Sequence, residues 1–555
     1  MKLARWVFFI YLCLTLPLFA ASDQNDWCGT GGPETTKYLL SVHEKHVREL
    51  KALATVAPTT RFTDMGEIAV MEGNSKTLIQ PNPFDLAGKK LTFKPNAAGE
   101  YTLKVTNGSV SSTQGNPVSL QDDDSEQITF TSGFHFPFYD EDFTSAFVNS
   151  DGNLTFKMKD DASTARDATR VLTGPPRVAP FFVDLDPSSR GEVRVLQTSK
   201  KLRITWNGVP EFGSQNNNTF QITLSRSGKI EIVFSTIDSR VAITGISPGK
   251  SANSKVIDFS RTASLSGIKG AVLERFATTF DVDYAGLIEE FHQTHSQDFN
   301  FIVIFTDFEY DHPGFAFFQH IQNQITGIGL PQFDFSNAFG SSKVEGFLLM
   351  GFINDYPNDV NTVFLGENDT LSIMGQENGH RWLAFPRAII EGKSSTELLG
   401  RQLAHWSFFM DSDASVMEGN DIRDNGDGTF TTIAAVEKYS KLDRYIMGLI
   451  SPSKVKPFFV VRAAGNRGRA PQVGQLITGA RINVTVNDII AAEGARDPAS
   501  TDAPKSFKEA FIYLHLPGVT PSSAGIDHVE LIRTAWTAFF RKATGKKGSL
   551  DTTLK

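Results

Sequence analysis

Short stretches of alternating apolar and polar residues, separated by turns, run from about residue 66 to residue 249 and constrain the fold more than any other feature. Successive side chains of a β-strand point to opposite faces, so this pattern predicts strands with one buried face. Residues 149–153 and 225–229 carry the Gly, Asn, Asp and Ser residues that favour hairpin turns. Many strands at this spacing, with no long helical pattern between them, predict a β-sandwich.

The N-terminus has the pattern of a secretory signal peptide. Lys2 and Arg5 precede an apolar run over residues 6–16, and residues 18–21 end in the small residues that signal peptidase requires. The run is shorter than the roughly 20 residues that span a bilayer, and no second such stretch follows. We therefore expect a signal peptide over residues 1–21, export from the cell and no membrane span in the mature form. A retained N-terminal anchor is the alternative.

The charge and the cysteine content narrow the function classes. Loss of Lys2 and Arg5 with the signal peptide changes the formal charge from -8 to -10, which argues against nucleic acid as a partner. Only Cys28 remains after cleavage, so the mature chain forms no internal disulfide. The 45 Phe residues are expected to stabilise large hydrophobic cores instead. The oligomeric state cannot be read from the sequence.

The chain is predicted to be a multidomain α+β protein. After the signal peptide, residues 22–60 form a leader and an amphipathic helix, for which residues 34–54 show helical spacing. Residues 61–252 form the sandwich, residues 253–272 a Ser- and Gly-rich linker, and residues 273–555 an α/β domain. His43 and His46 of the amphipathic helix lie three residues apart. This spacing suits either two metal ligands or, as we expect, two residues on a solvated helix face.

Three motifs in the strand-rich region resemble a nidogen-type extracellular (NIDO) domain. They are VNSDGNLTF at residues 148–156, APFFVDLD at residues 179–186 and TWNGVPE at residues 205–211, and the likeness covers about residues 128–249. The resemblance implies a β-sandwich that binds a protein, a matrix component or another extracellular surface ligand. Within it, Asp184 and Asp186 suit either a Ca²⁺ site or, as we favour, the capping of a tight turn before Pro187.

A predicted helix over residues 371–385, with an N-cap at Asp369 or Thr370, carries the sequence Gln376-Glu377-Asn378-Gly379-His380. In the H-E-x-x-H helix of zinc peptidases, two His residues at i and i+4 bind the metal and the Glu acts as general base. Glu377 and His380 occupy the places of the base and the second ligand. Gln376 occupies the place of the first ligand, where an amide is a weaker donor than imidazole.

Residues from about 299 to the C-terminus resemble secreted bacterial metallopeptidases of the zincin type. The likeness rests on residues 376–382, 399–420 and 439–449, and implies a zincin-like α/β domain with a zinc ion. Asp443 is our first choice for the ligand from outside the helix, and Tyr445 is expected to stabilise an oxyanion. His405 and Glu418 are the alternative ligands. Each of these three residues can instead have a structural role: Asp443 can cap a helix, His405 can lie in the core and Glu418 can lie in a loop.

Three functions follow from these patterns. The leading hypothesis is a secreted, metallopeptidase-related protein with a degenerate zinc site that is weakly active or inactive. The second is a working zinc peptidase in which another residue replaces the missing ligand. The third is an extracellular adhesive or binding protein without enzymatic activity.

Overall fold

The structure, a computed structural model, describes residues 28–52, 62–162, 166–250, 254–312 and 314–554. The predicted signal peptide at residues 1–21 therefore lies outside the described residues. In the described ranges, no helix combines the length and the apolar character needed to cross a membrane.

The secondary structure falls into three parts along the chain. The N-terminal part contains β1 (Cys28–Gly31), α1 (Pro33–Ala52), β2 (Phe62–Met65), β3 (Ile68–Glu72) and β4 (Leu78–Ile79). The middle part contains β5 (Lys89–Pro95), β6 (Tyr101–Asn107), β7 (Asn116–Val118), β8 (Ser125–Thr129), β9 (Phe136–Phe138), β10 (Glu141–Phe143), β11 (Ser145–Asn149), β12 (Asn153–Thr155), α2 (Ala168–Thr173), β13 (Arg177–Phe182), β14 (Glu192–Gln197), β15 (Lys201–Val209), β16 (Asn218–Ser225), β17 (Ile230–Ile237), β18 (Ala242–Ser247), β19 (Ser254–Val256), β20 (Ser264–Ile268) and β21 (Ala271–Phe276).

The C-terminal part contains β22 (Asp281–Val282), α3 (Tyr284–Thr294), β23 (Phe301–Thr306), β24 (Ala316–His320), β25 (Gln322–Asn323), β26 (Phe333–Asp334), β27 (Gly346–Phe352), α4 (Thr370–Gly379), β28 (Ala388–Ile390), β29 (Lys393–Ser395), β30 (Asn420–Asp424), β31 (Thr429–Ala435), α5 (Lys441–Ile446), β32 (Phe458–Arg462), β33 (Leu476–Thr478), β34 (Ala480–Val484), α6 (Val486–Glu493), β35 (Ser506–His515), α7 (Ser523–Ala543) and β36 (Ser549–Asp551). Short 3-10 helices occur at Ser336–Phe339, Ile353–Asp355, Arg401–Leu403 and Pro452–Lys454.

The middle part is built on two antiparallel-rich sheets around one hydrophobic core. One sheet has the order β19-β21-β18-β13-β12-β11-β8 and the other β20-β6-β5-β17-β16-β15-β14-β7. Trp206 and Phe220 stack in this core with ring centroids 5.0 Å apart. The two predicted hairpin turns join β11 to β12 and β16 to β17.

Strands of the middle part extend beyond the predicted domain boundary. The expected linker at residues 253–272 instead contains β19 and β20, and β20 pairs with β6 while β19 pairs with β21. The Ser and Gly residues that suggested a linker lie in and between these edge strands. A boundary at residue 252 would therefore remove strands from both sheets.

A second sheet system combines the N-terminal and C-terminal parts. Its order is β1-β24-β27-β23-β35-β3-β2, with β36 paired to β35. Strands β3, β35, β23 and β27 run parallel, whereas β24 runs antiparallel to β27. Residues 62–72, expected to open the sandwich, thus belong to this sheet, which we call the mixed sheet.

Helices cover both faces of the mixed sheet, as expected for strands that are buried on both sides. Phe305 points to the core that includes Trp536 of α7, and the preceding Ile304 points to the core that includes Phe291 of α3. Helix α4 lies on the α7 side, and every one of its residues is buried. An α/β arrangement was expected from the sequence for this region.

Helix α1 confirms the amphipathic helix expected over residues 34–54, but its histidines are not on a solvated face. His43 Nδ1 lies 2.9 Å and His46 Nδ1 lies 2.8 Å from the same carboxylate oxygen of Asp283. The hydrogen bond to Asp283 raises the pKa of His43. Both histidines therefore fasten α1 to the N-terminus of α3, where Asp283 is the N-cap.

A buried carboxyl group connects the mixed sheet to two helices. Glu509 of β35 accepts a hydrogen bond of 2.7 Å from Trp536 Nε1 of α7, and Asn378 Nδ2 of α4 lies 3.4 Å from its other oxygen. Burial raises the pKa of Glu509 to about 8. The folded protein therefore keeps this carboxyl protonated in a pH range where the unfolded chain ionises it.

Stability should for this reason fall as pH rises from about 5 to about 8, by at most roughly 1.4 kcal/mol per pH unit from Glu509. Glu509→Gln mimics the protonated acid at every pH. We expect the variant to lose less thermal stability than the wild type between pH 5 and pH 8, measured by thermal unfolding. Glu126→Gln, on an exposed strand position, is the control and should follow the wild type. Equal losses in the wild type and Glu509→Gln would contradict the prediction.

Candidate functional site

Helix α4 has Asp369 as its N-cap, one of the two residues predicted from the sequence, and the cap is a capping box. The Asp369 side chain accepts a 2.7 Å hydrogen bond from the Ser372 backbone, and the Ser372 hydroxyl accepts one of 2.9 Å from the Asp369 backbone. The helix ends at Gly379, earlier than the expected residue 385. At Gly379 an added Cβ would lie 2.4 Å from the Met417 sulfur, so glycine permits the loop that carries Met417 to pass close to the helix.

That loop brings His405 to the two residues in the ligand places of the helix. The Gln376 side-chain nitrogen lies 3.0 Å from His405 Nε2. The rings of His380 and His405 are perpendicular, with centroids 4.8 Å apart. Gln376 and His380 are four residues apart and share one face of the helix. The three side chains therefore converge, and all three are buried.

The hydrogen bonds of His405 determine which nitrogen faces the helix. His405 Nδ1 lies 3.0 Å from the Arg401 carbonyl oxygen, which can only accept, so the proton is assigned to Nδ1. The lone pair on Nε2 consequently faces Gln376. Such an Nδ1–H to carbonyl bond is the usual orienting contact of a metal-binding histidine.

A buried ion pair lies next to the same nitrogen. The Arg401 guanidinium pairs with Glu418, and its Nη2 lies 3.1 Å from His405 Nε2. Glu418 is itself 3.7 Å from His405 Nε2. Burial and the Arg401 charge hold the pKa of His405 well below its usual range. The site thus contains a permanent positive charge that competes with any cation for His405.

Glu377 and His380 are buried polar groups with few protein contacts. Among the described residues, neither ring nitrogen of His380 has a hydrogen-bond partner, whereas the Glu377 carboxyl group interacts with the Cys28 thiol. Burial raises the pKa of Glu377 to about 8, although the neighbouring Cys28 thiol and the Arg401 charge oppose the increase. Burial also holds the pKa of His380 well below its usual range. Both groups are therefore neutral near pH 7.

Unpartnered polar atoms in the interior are rare because each costs free energy, and they often mark a missing ligand. One ring nitrogen of His380, together with the Nε2 of His405 in place of its present contacts with Gln376 and Arg401, suits a zinc ion, for which imidazole is a preferred donor. Gln376 can add only a neutral amide oxygen. The residues therefore fit zinc, but as a weak donor set of two imidazoles and one amide.

Asp443, the first choice for the outside ligand, is engaged elsewhere. Its Oδ1 accepts a 2.9 Å hydrogen bond from Trp406 Nε1, and its Oδ2 accepts one of 2.7 Å from the Ser440 backbone. The second bond is part of the capping box of α5. The geometry thus favours the capping alternative, and Asp443 supports the site indirectly by holding Trp406 beside His405.

Tyr445 also contacts a different group. Its hydroxyl oxygen accepts a 3.4 Å hydrogen bond from the Arg496 backbone nitrogen, and the side chain is buried. A role for Tyr445 in oxyanion stabilisation stays a prediction. The structure brings Gln376, Glu377 and His380 together with His405 and Glu418, the two alternatives.

The acidic residues of the sandwich form a separate group. Within the described ranges, the carboxylates of Asp122, Asp123 and Asp184 are the one set of three potential metal-ligating groups of the Asp, Glu, His or Cys type within 4.8 Å of one another. Arg166 pairs with Asp184 at 3.0 Å and also with Asp123. Asp186 accepts a 2.9 Å bond from the Ser188 backbone, which agrees with its turn-capping alternative.

The Arg401–Glu418 pair generates a prediction about stability. Glu418→Gln removes the partner of a buried guanidinium, which should lower the free energy of unfolding by about 3–5 kcal/mol. Chemical denaturation would measure the loss. Glu397→Gln is the matched control because it removes a carboxylate from the exposed Arg462–Glu397 pair, and it should have little effect. Equal effects of the two substitutions would show that the Arg401 pair does not stabilise the fold.

Comparison with known families supports the sequence prediction for the sandwich. No match was found among curated proteins or among solved structures. The family model of NIDO-related domains matches residues 100–273, a range that contains all three motifs of the sandwich and ends before β22. The middle part of the chain is therefore NIDO-related, while the resemblance of the region around α4 to metallopeptidases stays a prediction.

Proposed function

We propose that this is a secreted, metallopeptidase-related protein whose zinc site is degenerate, with weak zinc binding and little or no proteolytic activity. The observation that carries the proposal is the position of Gln376. Its amide lies 3.0 Å from His405 Nε2, on the helix face shared with His380, where a third imidazole would complete a zinc site.

Two features of the site support weak binding. An amide oxygen donates less electron density to zinc than imidazole does. In addition, the Arg401 guanidinium, 3.1 Å from His405 Nε2, repels a divalent cation and donates to the lone pair that a metal needs. The buried Glu418 neutralises the guanidinium but is held by it, so Glu418 is not a free carboxylate ligand.

Glu377 has the sequence position of the general base, directly after Gln376 and three residues before His380. The chemistry that zinc supplies in such sites is polarisation of a carbonyl group and acidification of bound water. Glu377 would hold the proton that water gives up, but with a pKa raised to about 8 it is already protonated at neutral pH. Its protonation supports low activity in the metal-free protein.

Two other functions remain as alternatives. A working peptidase requires that Gln376 be tolerated as a ligand. A purely adhesive or binding function is favoured by the NIDO-related match over residues 100–273, because the resemblance implies binding of an extracellular protein, matrix or surface ligand. The binding function is compatible with a degenerate zinc site, since the NIDO-related match and the zinc site lie in different parts of the chain.

The metal content of the purified mature protein is the first test. We expect the wild type to bind zinc reversibly and to lose it on dialysis, while His380→Ala binds none. Gln376→His should bind zinc at least about tenfold more tightly, equivalent to about 1.4 kcal/mol. Titration with a competing chelator would measure the three affinities. If Gln376→His binds zinc no better than His380→Ala, the three side chains do not form a zinc site.

Proteolysis by the same variants is a separate prediction. With zinc supplied, Gln376→His should cleave an unfolded protein substrate faster than the wild type, because it restores the third imidazole. Gln376→His/Glu377→Gln is the matched control and should be inactive while keeping its zinc. A wild type that holds one zinc through dialysis and cleaves at the rate of Gln376→His would instead establish the working peptidase.

A further inference from the structure

The strand β1 occupies an edge of the mixed sheet directly beside α4. It pairs in parallel with β24, with Cys28 opposite Ala316 and Gly31 opposite Gln319. No strand lies on its other side in the described sheet order. The Cys28 side chain is buried next to Glu377, and burial raises the pKa of its thiol.

Side chains of the sheet and the loop hold β1 by its backbone. Arg401 Nη1 donates a 2.5 Å hydrogen bond to the Cys28 carbonyl oxygen. Gln319 Nε2 lies 3.1 Å and His320 Nδ1 lies 3.0 Å from the Gly31 carbonyl oxygen. Three side-chain donors from two elements, β24 and the loop that carries Arg401, are therefore directed at main-chain acceptors of β1, in addition to the main-chain pairing by which a sheet edge binds an extended peptide.

The strand itself has little tendency to form β-structure. Two of its four residues are Gly29 and Gly31, and glycine is depleted in strands. A Cβ on Gly31 would lie 2.1 Å from Gln319 Oε1, so a larger residue there would displace the Gln319 amide that donates to the Gly31 carbonyl. At Gly32, just beyond the strand, the nearest atom to an added Cβ is 3.4 Å away. The contacts with the surrounding side chains therefore determine where β1 binds.

Space for a larger ligand lies along the same edge. A cavity of about 370 Å³ is bounded by Cys28 to Thr30, by Thr169 and Arg170 of the sandwich, and by Phe385 and Leu403. An extended peptide with side chains longer than those of β1 would fill this cavity. A side chain of such a peptide, paired as β1 is, would then lie next to Glu377 where the Cys28 thiol now lies.

We propose that Cys28–Gly31 is an intramolecular ligand, bound at the outer edge of β24 beside Gln376 and Glu377, and that an extended peptide competes with it. The inference rests on the proposed function for the peptide character of the ligand, but not on zinc. In the closed form the strand covers the groups around α4, so a peptide reaches them only after β1 leaves. This is an autoinhibitory contact within one chain.

The test uses the full mature protein and the rate at which Cys28 reacts with a maleimide, followed by mass spectrometry. A synthetic peptide of residues 26–33 carrying C28S should bind the open form and keep β1 displaced. At a concentration ten times its Kd for the open form, measured on Gly31→Val, it should accelerate labelling about tenfold. The same peptide with the additional change G31V is the control and should have no effect, because its valine would collide with Gln319.

A second measurement uses variants of the chain. Gly31→Val should label Cys28 rapidly and bind the fluorescent C28S peptide in trans, whereas Gly32→Ala should stay protected like the wild type. A labelling rate of the wild type that does not respond to the peptide would overturn the proposal, as would a folded Gly31→Val protein that does not bind it. Neither readout involves metal, so a failed zinc titration and a failed competition experiment are distinguishable.

Discussion

Three separate parts of the chain meet at the guanidinium of Arg401. It donates to the Cys28 carbonyl of β1, pairs with Glu418 at the end of the loop, and contacts His405 beside α4. A buried guanidinium cannot lose its proton, so each of these acceptors satisfies a charge that the interior would otherwise penalise. The edge strand, the loop and the helix are consequently held in one arrangement by a single side chain.

The surroundings of this charge are kept neutral by burial. Glu377, with a pKa of about 8, and the two histidines with lowered pKa values carry no charge near pH 7. The electrostatic field of the site therefore comes from the Arg401–Glu418 pair. A divalent cation entering this region would find neutral imidazoles, an amide and a fixed positive charge, in contrast to a site that presents three imidazoles and a free carboxylate.

The elements with local signals were predictable from the sequence, whereas their long-range pairing was not. Hairpins at residues 149–153 and 225–229, the capping box at Asp369 and helix α1 follow from nearby residues. The placement of β3 beside β35, and of β1 beside β24, joins segments far apart in sequence, for which alternation of apolar residues gives no partner. The Ser- and Gly-rich composition of residues 253–272 did not distinguish a linker from the strands β19 and β20, since edge strands tolerate such residues.

In the candidate site, too, residues close together in sequence were predictable, whereas contacts between distant segments were not. The helical spacing placed Gln376, Glu377 and His380 on one helix, and the structure has all three buried on or at the end of α4. Asp443 was preferred over His405 for the outside position, but its two carboxylate oxygens accept hydrogen bonds from Trp406 and Ser440, which only the folded loop reveals. Arg401 lies in one of the segments that carry the resemblance, but no role was predicted for it, and Cys28 belongs to no motif. Their importance comes from burial and from contacts between distant segments.

The mixed sheet has a consequence for how the chain assembles during synthesis. Strand β3 pairs locally with β2, but its other edge is completed only when β35 exists, because Ile68 pairs with Phe511, while the sandwich between them contains all of its own strands. The NIDO-related part can therefore fold first as the chain emerges, before the β2–β3 hairpin and β1 join the mixed sheet. Until then these strands expose unpaired edges, so chaperone protection during synthesis would matter more for this N-terminal segment than for the sandwich that follows it.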